Sequence, residues 1–254
     1  MPEITMNGST VKVAPDESVL DVARRQGVFI PTLCHHAGLG LYGACRLCLV
    51  EVKSGFRPGL TSSCSLPALN GLVVDTDTPM VREGRRLVAE LLLARAPNAP
   101  EIRSLASSLG VTGTDLPTKD ETCILCGRCV RACRALGLEA VSFAFRGAKR
   151  EVMSPFDRTS ETCIACQACI TVCPTGAVTS KVTPDAVEMV EWHTRQELHR
   201  CPSCGKRFVT PRMQTRLHQM TPDDQHARTS LCPSCRRRDT AGDQTSTALF
   251  KEIR

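Results

Sequence analysis

Sixteen cysteines fall into four groups of four, with none left over. The groups are Cys34, Cys45, Cys48 and Cys64; Cys123, Cys126, Cys129 and Cys133; Cys163, Cys166, Cys169 and Cys173; and Cys201, Cys204, Cys232 and Cys235. Four thiolates form the ligand set of one tetrahedral metal ion or one iron–sulfur cluster. A chain with this pattern is limited to folds that gather each quartet around a centre, and a row of such centres points to electron transport. A length of 254 residues allows one to three domains. The spacing of the groups favours small modules without room for a large apolar core, so metal ligation carries much of the stability.

A disulfide framework is the other use for so many cysteines, and it needs an oxidising compartment. The N-terminal MPEITMNGSTVKVAP has no basic stretch followed by an apolar one, so no secretory signal is read there. The best apolar run, LVAELLLA, is short and contains Glu90, so it is not read as a membrane span. The expected location is the cytoplasm, with no membrane partner. The formal charge of +6 invites a nucleic-acid reading. Four thiolate-ligated centres at about −2 each would bring the loaded protein to about −2. The basic excess then offsets cluster charge, and nucleic acid is not the expected partner.

Residues 1–78 read as a small β-rich domain. Ile4–Met6 and Thr10–Val13 alternate like two strands around an Asn7-Gly8 turn. Asp16 or Ser18 can cap a short helix that Gly27 ends. Leu49–Val52 and Leu72–Val74 read as further strands. Over 79–114 the pattern predicts a helix and a connector. Thr78 caps the helix, Pro79 occupies its first turn, Pro97 stops it, and a second short helix is expected at 101–109. Val81, Leu87, Val88, Leu91 and Leu92 are the expected apolar stripe.

Residues 115–190 contain a repeat in which ETCILCGRCVRAC aligns with ETCIACQACITVC. In each C-x2-C-x2-C-x3-C run, three cysteines wrap one [4Fe–4S] cluster and the fourth reaches across to the other. On that pattern Cys123, Cys126, Cys129 and Cys173 hold the first cluster. Cys163, Cys166, Cys169 and Cys133 hold the second. Cys173 is followed by the usual proline, Pro174, whereas Cys133 is followed by Arg134. Over 118–180 the chain resembles the bacterial two-cluster ferredoxin domain.

The first group has the spacing C-x10-C-x2-C-x15-C, with a longer first gap than plant-type ferredoxins use. The stretches PTLCH at 31–35 and GACRLC at 43–48 are similar to the N-terminal [2Fe–2S] domain of a known family. It is shared by the large iron–sulfur subunit of respiratory complex I, iron-only hydrogenases, NAD-linked formate dehydrogenases and the diaphorase part of bidirectional hydrogenases. The resemblance implies a β-grasp fold and a [2Fe–2S] cluster on Cys34, Cys45, Cys48 and Cys64. Zinc is the alternative for those four thiols. Gly38, Gly40 and Gly43 spell a dinucleotide fingerprint, but between cluster ligands they read as glycines that let the backbone wrap closely. Members with the full arrangement carry a further cluster on one His and three Cys just after the helix. Residues 97–122 contain neither residue type, so that cluster is absent here and the dicluster domain is expected to dock closer to the [2Fe–2S] domain.

Residues 195–238 read as a zinc-ribbon-like module with knuckles Cys201-Pro-Ser-Cys204 and Cys232-Pro-Ser-Cys235. Zinc is the expected metal, with a further iron–sulfur cluster or mononuclear iron as alternatives. The gap of 27 residues between the knuckles is long for a ribbon. Residues 239–254 are a polar tail. The overall expectation is an α+β protein built from a β-grasp [2Fe–2S] ferredoxin domain, a two-cluster ferredoxin domain and the small C-terminal module. It would be a non-catalytic electron-transfer subunit of an oxidoreductase complex, linked to a flavoprotein NAD(P)H-binding subunit and to a catalytic or ferredoxin-reducing subunit. The competing readings are a stand-alone ferredoxin-like carrier and a redox- or iron-sensing regulator that binds nucleic acid through the basic C-terminal module.

Overall fold

A two-residue turn begins the first sheet. Asn7 and Gly8 both adopt positive φ, 51° and 79°, which matches the twist of the hairpin they join. They connect β1 (Glu3–Met6) to β2 (Ser9–Lys12) in antiparallel register. Helix α1 (Val19–Arg25) follows, with Ser18 and Asp21 forming a reciprocal capping box. It ends in a left-handed Gly27, with the Val28 N–H on the Ala23 carbonyl at 2.8 Å. β3 (Leu49–Ser54), β4 (Gly59–Ser62) and β5 (Val73–Asp75) complete a sheet ordered β2-β1-β5-β3-β4, in which β1 and β5 run parallel. Val19, Leu20, Val22 and Ala23 of α1 pack into a core with Ile4, Val50, Val52, Leu72 and Val74. Cys48 and Cys64 lie in that same core.

The computed structural model describes residues 2–223 and 226–240. From residue 241 onward the expected polar tail lies outside the described residues. The chain divides into two compact units, Met1–Leu136 with Cys169–Ala177, and Gly137–Ala168 with Val178–Arg254.

The first unit continues with α2 (Pro79–Arg95), capped by Thr78, and α3 (Pro100–Ser108). The expected stripe on α2 holds at Val81, Val88 and Leu92 but not at Leu87 and Leu91. Val81, Arg85, Ala89 and Leu93 face inward, whereas Leu87 and Leu91 are 55% and 52% exposed. Close approach to the sheet is the reason. A Cβ on Gly84 would lie 2.9 Å from the Leu49 side chain, so a glycine stands at that point of contact. Arg85 runs along it, 7% exposed, and donates to the Leu49 carbonyl at 2.7 Å and the Thr76 carbonyl at 3.0 Å. α4 (Arg128–Ala135) and the short α5 (Ala168–Thr171) carry the third cysteine of each repeat, and α4 carries the fourth of the first repeat as well.

The second unit has a hairpin, β6 (Ser142–Ala144) with β7 (Glu151–Met153), and a meander of β8 (Ser180–Val182), β9 (Ala186–Met189) and β10 (Thr194–Glu197). A last hairpin pairs β11 (His199–Arg200) with β12 (Arg207–Val209). α6 (Pro211–Met220), α7 (His226–Thr229) and a helix at 233–240, α8, follow. Among the described residues, no helix is long and apolar enough to cross a membrane.

Gly55 ends β3 at φ +80°, and a Cβ there would stand 2.6 Å from the Gly71 carbonyl oxygen and the Leu72 Cα. Both obstacles are backbone and cannot swing aside. Gly55→Ala is expected to cost about 2 kcal/mol or more, read as a lower denaturation midpoint.

Candidate metal centres

The loop 26–48 leaves α1 and enters β3, and it brings Cys34, Cys45 and Cys48 beside Cys64. Cys64 sits in a 3-10 turn, Ser63–Ser65, that follows β4. Both the N–H and the hydroxyl of Ser63 donate to the Cys48 carbonyl at 2.8 Å. Arg46, at φ 54°, ties the tip of the C-x2-C turn to Ser62 at 2.7 Å. Cys34, Cys48 and Cys64 are 1–2% exposed. The thiols pair two and two. A hydrogen bond from Cys34 brings Cys45 down to about 5, and one from Cys64 brings Cys48 down to about 6. Two pairs of thiolates are the donor set of two irons in a [2Fe–2S] cluster. Of the fingerprint glycines, Gly43 alone has positive φ, 65°, and the stretch is loop rather than part of a βαβ unit. His35 Nδ1 is buried, and His36 Nδ1 accepts from the Gly38 N–H at 3.1 Å.

The two repeat loops share an unusual backbone. Leu125 and Ala165 both sit at φ 54°, and Gly127 and Gln167 follow at 68° and 62°. Side chains at positive φ cost about 1 kcal/mol or more each, a strain that clusters at ligand-wrapping segments. The reversal turns N–H groups inward: the Leu125 N–H lies 3.5 Å from Cys123 Sγ. In the first unit, Cys123 and Cys126 lie within electrostatic reach of Cys173, and Cys129 within reach of Cys126 and Cys123. Cys173 thus lies near Cys123 and Cys126, and Cys169 near Cys129. Cys133 lies on α4 and Cys169 on α5; Cys163 and Cys166 lie on the second loop. Burial pushes the thiols of Cys123, Cys126, Cys129 and Cys163 up, so ionised sulfur there calls for a cation beside it. Iron in a cluster supplies that charge, and the donor set fits it.

Each loop is held by its carbonyls. Arg95, on α2, donates from Nε to the Cys123 carbonyl at 3.1 Å and pairs with Glu121. In the second unit, Thr210 donates to the Ile164 carbonyl at 2.8 Å while its oxygen caps α6 through the Met213 N–H at 3.1 Å. Arg212 donates to the Glu161 carbonyl, and Gln196 to that of Cys163 at 3.4 Å.

The last quartet is tighter. The sulfurs of Cys201, Cys204, Cys232 and Cys235 all lie within 4.8 Å of one another, with Cys204 and Cys232 at 3.6 Å. Among the described residues, no other His, Cys, Asp or Glu group reaches that spacing. A tetrahedral ion with metal–sulfur bonds of about 2.3 Å separates its ligands by about 3.8 Å, so this quartet has the dimensions of a mononuclear site. The N–H groups of Cys232, Cys204 and Ser203 bring the Cys201 thiol down to about 6. Arg238 donates to Cys235 Sγ at 2.9 Å. The first pair lies at a hairpin end, as in a ribbon, where Gly205 takes φ 72°. The second pair opens α8, and α6 and α7 fill the long gap between the pairs.

Thr210 joins the second repeat loop to the C-terminal module with one side chain, 1% exposed. Thr210→Val removes the cap and leaves the Ile164 carbonyl unpaired. The expected loss is about 1–3 kcal/mol, read as faster amide exchange over 161–166 and α6, with Thr210→Ser restoring protection.

Comparison with known proteins adds ancestry to this geometry. The 2Fe-2S iron-sulfur cluster binding domain family matches residues 2–79, and the 4Fe-4S dicluster domain family matches residues 118–180. An NADH-quinone oxidoreductase subunit of Rickettsia bellii (strain RML369-C) is 31% identical over 77% of this chain and 32% of its own length. The mitochondrial NADH dehydrogenase [ubiquinone] iron-sulfur protein 1 of Solanum tuberosum is 31% identical over 76% of this chain and 29% of its own. The chain thus spans about a third of the length of the curated relatives it matches. A chain in the crystal structure of an NAD+-reducing [NiFe]-hydrogenase superposes with a TM-score of 0.60 at 28% identity, covering 69% of this chain and 86% of that one. With its 2Fe-2S and 4Fe-4S domains, the chain is homologous to the iron–sulfur subunits of NADH-linked oxidoreductases, complex I and NAD-reducing hydrogenase among them.

Proposed function

We propose that this chain is an electron-transfer subunit of a multi-subunit, NAD(P)H-linked oxidoreductase of the cytoplasm. It relays single electrons between a flavoprotein partner that binds the nicotinamide and a catalytic partner or ferredoxin. The observation that carries the reading is the grouping of the thiols: the first group paired two and two, and Cys123 and Cys126 close to Cys173 beside strained loops, in a chain whose homologues are NADH-linked. On this reading Cys34, Cys45, Cys48 and Cys64 hold a [2Fe–2S] cluster. Cys123, Cys126, Cys129 and Cys173 hold one [4Fe–4S] cluster, and Cys133, Cys163, Cys166 and Cys169 the other. Cys201, Cys204, Cys232 and Cys235 hold zinc, which is redox-inert and fastens the C-terminal module.

The clusters would supply one-electron chemistry, and the chain's own residues bind, orient and shield them. Ile124 packs against the apolar cluster around Leu47 and Leu93, and Ile164 is 8% exposed, which keeps water from the sulfurs. Residues 97–122 are occupied by α3 and by a stretch of loop that the Lys119 N–H ties to the Ala94 carbonyl at 2.9 Å, with no further His or Cys.

Purification of the tagged chain from its native host without oxygen tests the reading. A flavoprotein is expected to co-purify, and NADH or NADPH is expected to bleach the iron–sulfur absorbance of the complex. Recovery of the chain alone at its own mass, without flavin, would favour the stand-alone carrier. Cys48→Ser is expected to remove the [2Fe–2S] paramagnetic signal and leave the [4Fe–4S] signals. Persistence of every signal would remove the first-group assignment.

A further inference from the structure

Helix α4 sets two arginines three residues apart against the loop that carries Cys34. Arg131 bridges two carbonyls of that loop: Nη2 donates to the Cys34 oxygen and Nη1 to the Gly40 oxygen, the latter at 2.5 Å. Arg128 donates from Nη2 to the His35 oxygen between them. The Arg131 guanidinium also lies 5.2 Å from the centre of the Tyr42 ring. Among the described residues, the buried Nε atoms of both arginines and Nδ1 of His35 meet no hydrogen-bond partner. A buried donor left unpaired is costly. A pair of helix residues kept only for packing would not carry two such donors and two charges. The contacts join backbone immediately beside one candidate ligand, Cys34, to the helix turn that holds another, Cys129.

We propose that Arg128 and Arg131 are positioning residues for electron transfer, seating the Cys34 loop directly on the helix that carries Cys129 and placing fixed positive charge beside the centre on that loop. The inference rests on the function proposed above and adds the crossing point. Residues 97–122 hold no thiol or imidazole that could support an intervening centre. The crossing moves one electron: the donor centre is oxidised by one unit, the acceptor centre is reduced by one, and no bond or proton changes. A guanidinium at the Cys34 carbonyl favours the more negative, reduced state of the nearby centre, so its charge raises that centre's potential. Arg is suited to the place because its planar fork reaches two carbonyls at once.

The full chain, loaded and purified without oxygen, is compared with Arg131→Ala, Arg128→Ala/Arg131→Ala and Arg131→Lys by redox-poised electron paramagnetic resonance. In the wild type, reduction of the [4Fe–4S] centres is expected to speed the spin relaxation of the [2Fe–2S] signal. Arg131→Ala is expected to lose most of that enhancement and to shift the [2Fe–2S] reduction equilibrium about tenfold toward the oxidised form, about 59 mV for one electron. Arg131→Lys keeps the charge and is expected to hold the potential within about twofold. It reaches one carbonyl rather than two and recovers only part of the enhancement. Wild-type relaxation and potential in both alanine variants, with all centres present, would overturn the proposal. If the alanine variants lose their iron, Arg131→Lys decides alone, and full wild-type enhancement in it would overturn the bridging role. A wild type that binds iron yet shows no [2Fe–2S] signal would overturn the function proposed above, and this inference with it.

Discussion

Loops that wrap a metal centre cannot also belong to a ladder, and their carbonyls must find donors elsewhere. This constraint organises the molecule. Arg95 serves the Cys123 carbonyl, and Arg128 and Arg131 serve the Cys34 loop. In the second unit Thr210 and Arg212 do the same for the loop of Cys163 and Cys166. Each donor stands on a helix or at its cap, so every one of these loops is fastened to a rigid element. The role asks for a donor with no acceptor of its own and a long reach, which is what a guanidinium offers. Several basic residues are committed to carbonyls beside centres that would carry negative charge.

The cysteine spacing made the two iron–sulfur domains legible because cluster ligation favours particular intervals, and intervals survive in one dimension. The hairpin at Asn7-Gly8, the Ser18 cap and the Thr78-Pro79 helix start were legible for the same reason: each is a short-range rule tied to particular residue types. What the sequence concealed depends on distant partners. Leu87 and Leu91 carry the strongest apolar signal on α2, yet the helix turns them outward, because its sheet-facing side must be narrow at Gly84 and must deliver Arg85 to two carbonyls. An arginine in an apolar stripe looks like a fault in the pattern until its acceptors are known. Arg128 and Arg131 were hidden likewise, since helical spacing fixes their face but not what it meets. β4 and the meander β8–β10 went unread because strands of three or four residues show little periodicity without an adjoining signal such as the Asn7-Gly8 turn that marks β1 and β2.

On the proposed reading, the C-terminal module holds a centre that serves without redox chemistry. Its four sulfurs stand at the spacing of a single ion. The same module supplies α6, whose capping residue Thr210 grips the Cys163 loop. Metal there would fold a segment with little apolar core, since the buried cluster around Cys201, Cys232 and Cys235 includes only Phe208 and Leu231 as apolar partners among the described residues. The stability of that loop would then depend on an ion that never changes oxidation state.

Elemental analysis of the full chain purified without oxygen tests the central claim most directly. The account predicts about ten iron, ten acid-labile sulfide and one zinc per chain, the content of one [2Fe–2S] cluster, two [4Fe–4S] clusters and one zinc ion. About fourteen iron with no zinc would contradict the division between redox centres and clasp, and a chain with zinc alone would contradict the electron relay altogether.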